Sequence, residues 1–145
     1  MDKQVVANDV LIPELGRLLA EGLEVEFQPK GRSMLPFIRG DRDSVVMRKF
    51  PEVSVGDIVL ARASGHFVLH RVFSVEGDVL TLMGDGNIRG TETCRRGDVL
   101  GTVTAIIRSG RPHAPGNGRL WRTLLPVRRY LLAVIRRLPW YRTEI

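Results

Sequence analysis

Five Gly-Asp pairs, at 40-41, 56-57, 77-78, 84-85 and 97-98, punctuate this chain and separate short runs rich in Val, Ile and Leu. Glycine tolerates the positive φ of a tight turn and aspartate bonds back to nearby amides, so each pair reads as a chain reversal. The runs between them are Ser44–Phe50, Asp57–Ala63, Phe67–Val75, Val79–Met83 and Val99–Arg108, all of strand length. Ahead of them, Leu23-Glu24-Val25-Glu26-Phe27 alternates apolar and acidic residues as a half-buried strand should. Short strands at this spacing predict a mainly β fold, a curled antiparallel β-structure, and no repeat of fixed period appears.

Helical periodicity flanks the β-region on both sides. From Asn8 to Glu21, Leu11, Leu15, Leu18 and Leu19 share one face, Asn8 or Asp9 caps the start, Pro13 sits in the first turn and Gly22 follows as a stop. Ser109–Gly118 has the composition of a linker and contains His113, read as solvated. From Arg119 to Arg137 the apolar residues Trp121, Leu124, Leu125, Leu131, Leu132, Ile135 and Leu138 form one band. Arg122, Arg129 and Arg136 recur on the other side, and Pro126 interrupts the helix. The chain therefore divides into a β-domain over 1–108, a linker over 109–118 and a basic amphipathic helical tail over 119–145.

Charge follows the same division. Residues 1–107 carry 13 Lys/Arg against 15 Asp/Glu, whereas residues 108–145 carry nine Arg against the single acid Glu144. A basic, amphipathic, Trp-containing helix suits an anionic membrane surface, here through residues 119–142, or equally a docked position on the β-body with its arginines in water. Nucleic acid is the poorer partner for that tail, because apolar residues are interleaved with the arginines. No secretory signal and no run of about 18 apolar residues is evident, which points to a cytoplasmic or peripheral-membrane location. Cys94 is the single cysteine, which excludes an internal disulfide. Three scattered histidines and no CxxC give no metal site, and no cofactor is expected.

The chemistry centres on Gly31-Arg32-Ser33-Met34-Leu35-Pro36, a turn after an alternating strand that presents the Ser33 hydroxyl and amide. A hydroxyl is a weak nucleophile at neutral pH until a base takes its proton. Of the three histidines, His113 lies in the linker and His66 just beyond Ser64-Gly65 at a hairpin tip. His70 lies mid-strand on the face shared by Val68 and Val72, and it is the candidate base. Asp85, in Met83-Gly84-Asp85-Gly86-Asn87, is the candidate carboxylate that orients the imidazole, or else simply a turn residue. Gly31, Arg32, Met34 and Pro36 frame the oxyanion and substrate side of the turn.

Taken in order, Gly-x-Ser-Met-x-Pro, Arg39-Gly40-Asp41, Val55-Gly56-Asp57-Ile58-Val59, His70-Arg71-Val72, Gly84-Asp85-Gly86-Asn87 and Gly97-Asp98-Val99-Leu100-Gly101 resemble the signal peptidase I superfamily. That superfamily also includes the self-cleaving repressors of the SOS response. The resemblance spans roughly Val25 to Ile107 and implies a mostly β fold with Ser33 as nucleophile. Where bacterial signal peptidases keep a lysine base this chain has His70, so it looks like the Ser-His branch found in the endoplasmic reticulum, archaea and some Gram-positive bacteria. Three departures stand out. Gly31 replaces a serine whose hydroxyl serves the oxyanion, Gly86 displaces an asparagine, and a further Asp is missing where Thr91 and Glu92 stand.

The resemblance implies a serine endopeptidase acting on a peptide or protein, membrane-associated as most relatives are, with small residues preferred at the cleavage point. A peptide-binding module with weak or no turnover on the same fold is the alternative. A self-cleaving repressor is a third reading, disfavoured because about 22 residues precede the β-region, too few for a helix-turn-helix domain.

Overall fold

The computed structural model describes residues 3–5, 12–30, 33–40, 42–86 and 90–136. Its elements are β1 (Lys3–Val5), α1 (Ile12–Ala20), β2 (Glu24–Phe27), β3 (Ser44–Arg48), β4 (Ile58–Ala63), β5 (His66–Glu76), β6 (Val79–Met83), β7 (Glu92–Arg95), β8 (Val99–Arg108), β9 (Arg111–His113), α2 (Arg119–Thr123) and α3 (Arg128–Arg136). The described residues are mainly β, and the sheet curls into an antiparallel half-barrel.

The turn residues set the hairpins. Ser64 (φ 53°) and Gly65 (φ 81°) both adopt positive φ, and Ala63 faces His66 across this two-residue loop. That backbone twists with the strands it joins, as a type I′ connection does. Gly77-Asp78 likewise joins β5 to β6, with Glu76 opposite Val79. At two other Gly-Asp pairs the carboxylate bonds back three residues: the Ser54 N–H donates to Asp57 and the Arg95 N–H to Asp98, each at 2.9 Å.

The sheet runs β1-β2-β3-β8-β4-β5-β6-β7, with β9 on β8; β1 pairs parallel to β2 and the other pairs are antiparallel. Register shifts at Val46/Met47, Leu60/Ala61 and Val72/Ser74 add local bends. Bends of this kind let a twisted sheet curl instead of continuing flat.

Strand β4 explains the unbroken apolar run Ile58-Val59-Leu60-Ala61. Ile58 and Leu60 pack with Leu15 and Leu19 of α1, Val25, Val45, Met47 and Ile106, while Val59 and Ala61 pack with Val68, Val72, Leu80, Leu82 and Cys94. A strand buried on both faces has no polar side to alternate with. Gly101 on β8 admits α1: a Cβ there would lie 2.9 Å from the Leu19 side chain.

The stretch 109–118, expected to be a linker, is in part structure. Ile106 faces His113 and Arg108 faces Arg111, so β9 extends the sheet, although His113 itself is exposed as expected. Beyond it the chain breaks at Pro126 as anticipated, through a 3-10 turn over Leu125–Val127. Trp121 and Leu132 are buried with Leu35, and Phe37, Leu124, Leu131 and Ile135 pack around them. The apolar band of the basic segment therefore docks on the β-body. Residues Asn8, Asp9, Leu11 and Leu138 lie outside the described residues, as do the side chains of Arg122, Leu125, Arg129 and Arg136. No described helix is long and apolar enough to cross a membrane.

Candidate active site

Ser33 opens a turn over 33–37 between β2 and β3. The amides of Phe37 and Ile38 both donate to the Met34 carbonyl, at 3.1 and 3.0 Å, closing one helical turn. Met34, Leu35 and Ile38 are buried, so the turn is anchored from below while Ser33 stays half-buried. A second anchor comes from the chain after β6. The Gly86 N–H donates to the Ser33 carbonyl at 2.7 Å, and the Asp85 N–H lies 3.4 Å from Met34 Sδ.

His70 sits on β5 with only 6% of its surface exposed. Directly opposed residues of paired strands point to the same face. Val72 is opposite Leu82, and Leu82 is opposite Glu92, so the three form one row across β5, β6 and β7. His70, two residues before Val72, lies on that face, and its Nδ1 is 2.8 Å from Glu92 Oε2. Glu92 is therefore the carboxylate that holds the imidazole.

Asp85, the expected holder of His70, is corrected by this geometry. Arg71 opposes Met83, on the other face of the sheet from His70, and Asp85 follows Met83 by two residues. Arg71 Nε donates to Asp85 Oδ1 at 2.9 Å and Nη2 to Oδ2 at 2.8 Å, with both side chains 2% exposed. Face parity thus sends Asp85 to Arg71 and leaves His70 to Glu92. The Asp85 pair is architectural. Arg71 Nη1 also donates to the carbonyls of Gly56, at 2.8 Å, and Gly116, at 3.0 Å.

Ser33 and His70 line one cavity of about 180 Å³, together with Pro29, Lys30, Met34, Ile38, Gly40, Phe67, Val68 and Leu69. Among the described residues no hydrogen bond joins Ser33 to His70, and Nδ1 is the only imidazole nitrogen with a hydrogen bond. No family model matches the chain, and no curated protein matches it in sequence.

Of the other residues assigned to the substrate side, Met34 is a core residue that also reaches the cavity wall, and Pro36 does not line it. Gly31, Arg32 and Asn87 lie outside the described residues. Lys30 and Glu92 are the cavity and site groups that sequence reasoning did not assign. For Glu92 the signal was a carboxylate close to the position of the missing Asp. Its face depends on the β6–β7 register, which turn composition does not encode. Cys94 is buried, and burial, with a contribution from Asp98, pushes its thiol up to about 11.

Proposed function

We propose that this chain is a serine endopeptidase of signal peptidase I type, with Ser33 as nucleophile, His70 as base and Glu92 as the carboxylate that orients His70. The observation that carries the proposal is the shared cavity: Ser33 and His70 line it together, while Glu92 occupies His70 Nδ1 from behind.

With Nδ1–H directed to Glu92, Nε2 is the free base of the imidazole. It takes the Ser33 proton as the serine oxygen adds to the scissile carbonyl. The protonated imidazole then gives that proton to the leaving amine as the C–N bond breaks, and an acyl ester on Ser33 remains. His70 next deprotonates a water, which hydrolyses the ester and restores Ser33. Glu92 stabilises the imidazolium in both halves and does not itself take the proton.

A substrate strand fits along β5. Residues 66–70 pair with β4, whereas β6 pairs with β5 only from Arg71 onward, so among the described residues no strand pairs with the other edge of 66–70, where an extended peptide could add. The small volume and the apolar walls from Met34, Ile38 and Leu69 agree with a small residue at the cleavage point. Incubation with a peptide library, followed by mass spectrometry of the products, tests this. Cleavage after small residues is expected, lost in both Ser33→Ala and His70→Ala.

A peptide-binding module without turnover is the second reading, favoured by the unmade hydrogen bond between Ser33 and His70. It predicts peptide binding that Ser33→Ala leaves unchanged and no cleavage by either protein.

A further inference from the structure

The C-terminal segment reaches the Ser33 turn by a hydrogen-bonded peptide unit as well as by packing. Trp121 of α2, 6% exposed, donates its Nε1–H to the Asp85 carbonyl at 2.7 Å. The N–H of that same peptide belongs to Gly86 and donates to the Ser33 carbonyl at 2.7 Å. A peptide group is planar and rigid, so fixing its oxygen fixes the direction of its N–H. Donation to the oxygen also polarises the group and strengthens the N–H as a donor.

Packing repeats the connection. The indole stands edge-on to Phe37, with centroids 5.9 Å apart and planes at 88°, and Leu35 shares an apolar cluster with Trp121 and Leu132. Phe37 and Leu35 both belong to the turn that begins at Ser33. The Arg71 guanidinium, 5.4 Å from the Phe37 ring, ties the same region to the Gly56 and Gly116 carbonyls.

We propose that Trp121 is a positioning residue: it orients the 85–86 peptide and thereby sets where Ser33 stands relative to His70. The basic C-terminal segment is then a working part of the site. The consequence for catalysis rests on the peptidase reading above, but the positioning itself does not.

Trp121→Phe keeps the ring in its cluster and removes the donor. Two readouts in the full chain test it: hydrogen exchange at the Gly86 amide by NMR, and the rate constant for acylation of Ser33 by a fluorophosphonate probe. Gly86 protection and the acylation rate constant are each expected to fall about tenfold, with the probe's binding constant unchanged. Leu132→Ala opens the same cluster but keeps the donor, and is expected to lower Tm while sparing both readouts in the folded protein. Wild-type Gly86 protection in Trp121→Phe overturns the proposal. So does a Leu132→Ala protein that loses both readouts as strongly, because packing alone then accounts for them. If wild-type Ser33 is never acylated, the peptidase reading fails, while Gly86 protection still decides the positioning.

Discussion

His70 and Arg71 are neighbours on β5, yet they serve opposite faces of the sheet: His70 Nδ1 meets Glu92 at 2.8 Å and Arg71 meets Asp85 at 2.8 Å. Two carboxylates that the sequence places seven residues apart thus have separate duties. Glu92 holds His70, and Asp85 holds Arg71.

Separate duties predict separable phenotypes. Glu92→Gln removes the charge that stabilises the imidazolium and puts an NH2 donor where Nδ1 can accept, favouring the wrong tautomer, so acylation of Ser33 should slow by about 10²- to 10⁴-fold with little change in Tm. Asp85→Asn strands the Arg71 charge, both groups being 2% exposed, and should cost about 3–5 kcal/mol of stability. Denaturant melts and probe kinetics on the two variants check this. Matching losses of stability in both would contradict the assignment.

Gly118 is held against Arg71, with φ at +64° and the site of a Cβ only 2.5 Å from Arg71 Nε. Gly118→Ala should therefore displace the guanidinium from the Gly116 and Gly56 carbonyls and destabilise the fold by about 2 kcal/mol. Gly65→Ala is the control, since nothing lies within 4 Å of a Cβ there, although its positive φ carries the same backbone penalty. Urea midpoints of the two variants should differ, with Gly118→Ala lower.

Asp43 predicts an acid-side loss of stability. Burial alone would raise its pKa, but hydrogen bonds from the Arg42 guanidinium and the Arg39 N–H, with Arg108 nearby, outweigh that and hold the carboxyl below its ordinary value of 3.8. A lowered folded-state pKa gives stabilisation that is complete above 3.8 and lost as pH falls from there through the folded value. Tm should drop across that window, and Asp43→Asn, less stable at neutral pH, should show a shallower drop.

Cys94 is buried among Leu80, Leu82, Val72 and Val99, and its thiol is pushed up to about 11. At pH 8 the native protein should resist iodoacetamide and react only after unfolding, as counted by intact mass. Rapid alkylation of the folded chain would contradict the packing.

Much of the fold is legible in the residue pattern because turns and apolar runs are local signals. Val79–Met83 and Val99–Arg108 stand where the runs predict, and Ser64-Gly65 turns the chain in front of His66. The strands that escape such reading, β1, β7 and β9, are three or four residues long; β7 and β9, as Glu-Thr-Cys-Arg and Arg-Pro-His, carry little apolar patterning. Ser33 and His70 stand out in the sequence as a hydroxyl and a candidate base, and the fold brings both to one cavity. The identity of the carboxylate is not legible there, because it depends on which face and register β6 and β7 adopt. Hydrophobic periodicity likewise reveals the band containing Trp121 and Leu132, but a protein core and a membrane interface ask for the same residues.

The central claim, that Ser33 is a nucleophile activated by His70, is tested most directly by intact-mass analysis of the full chain after exposure to a fluorophosphonate probe. A single adduct mapping to Ser33, abolished by Ser33→Ala and strongly slowed by His70→Ala, is the predicted result. An unlabelled Ser33, or an adduct that persists in Ser33→Ala, would contradict it.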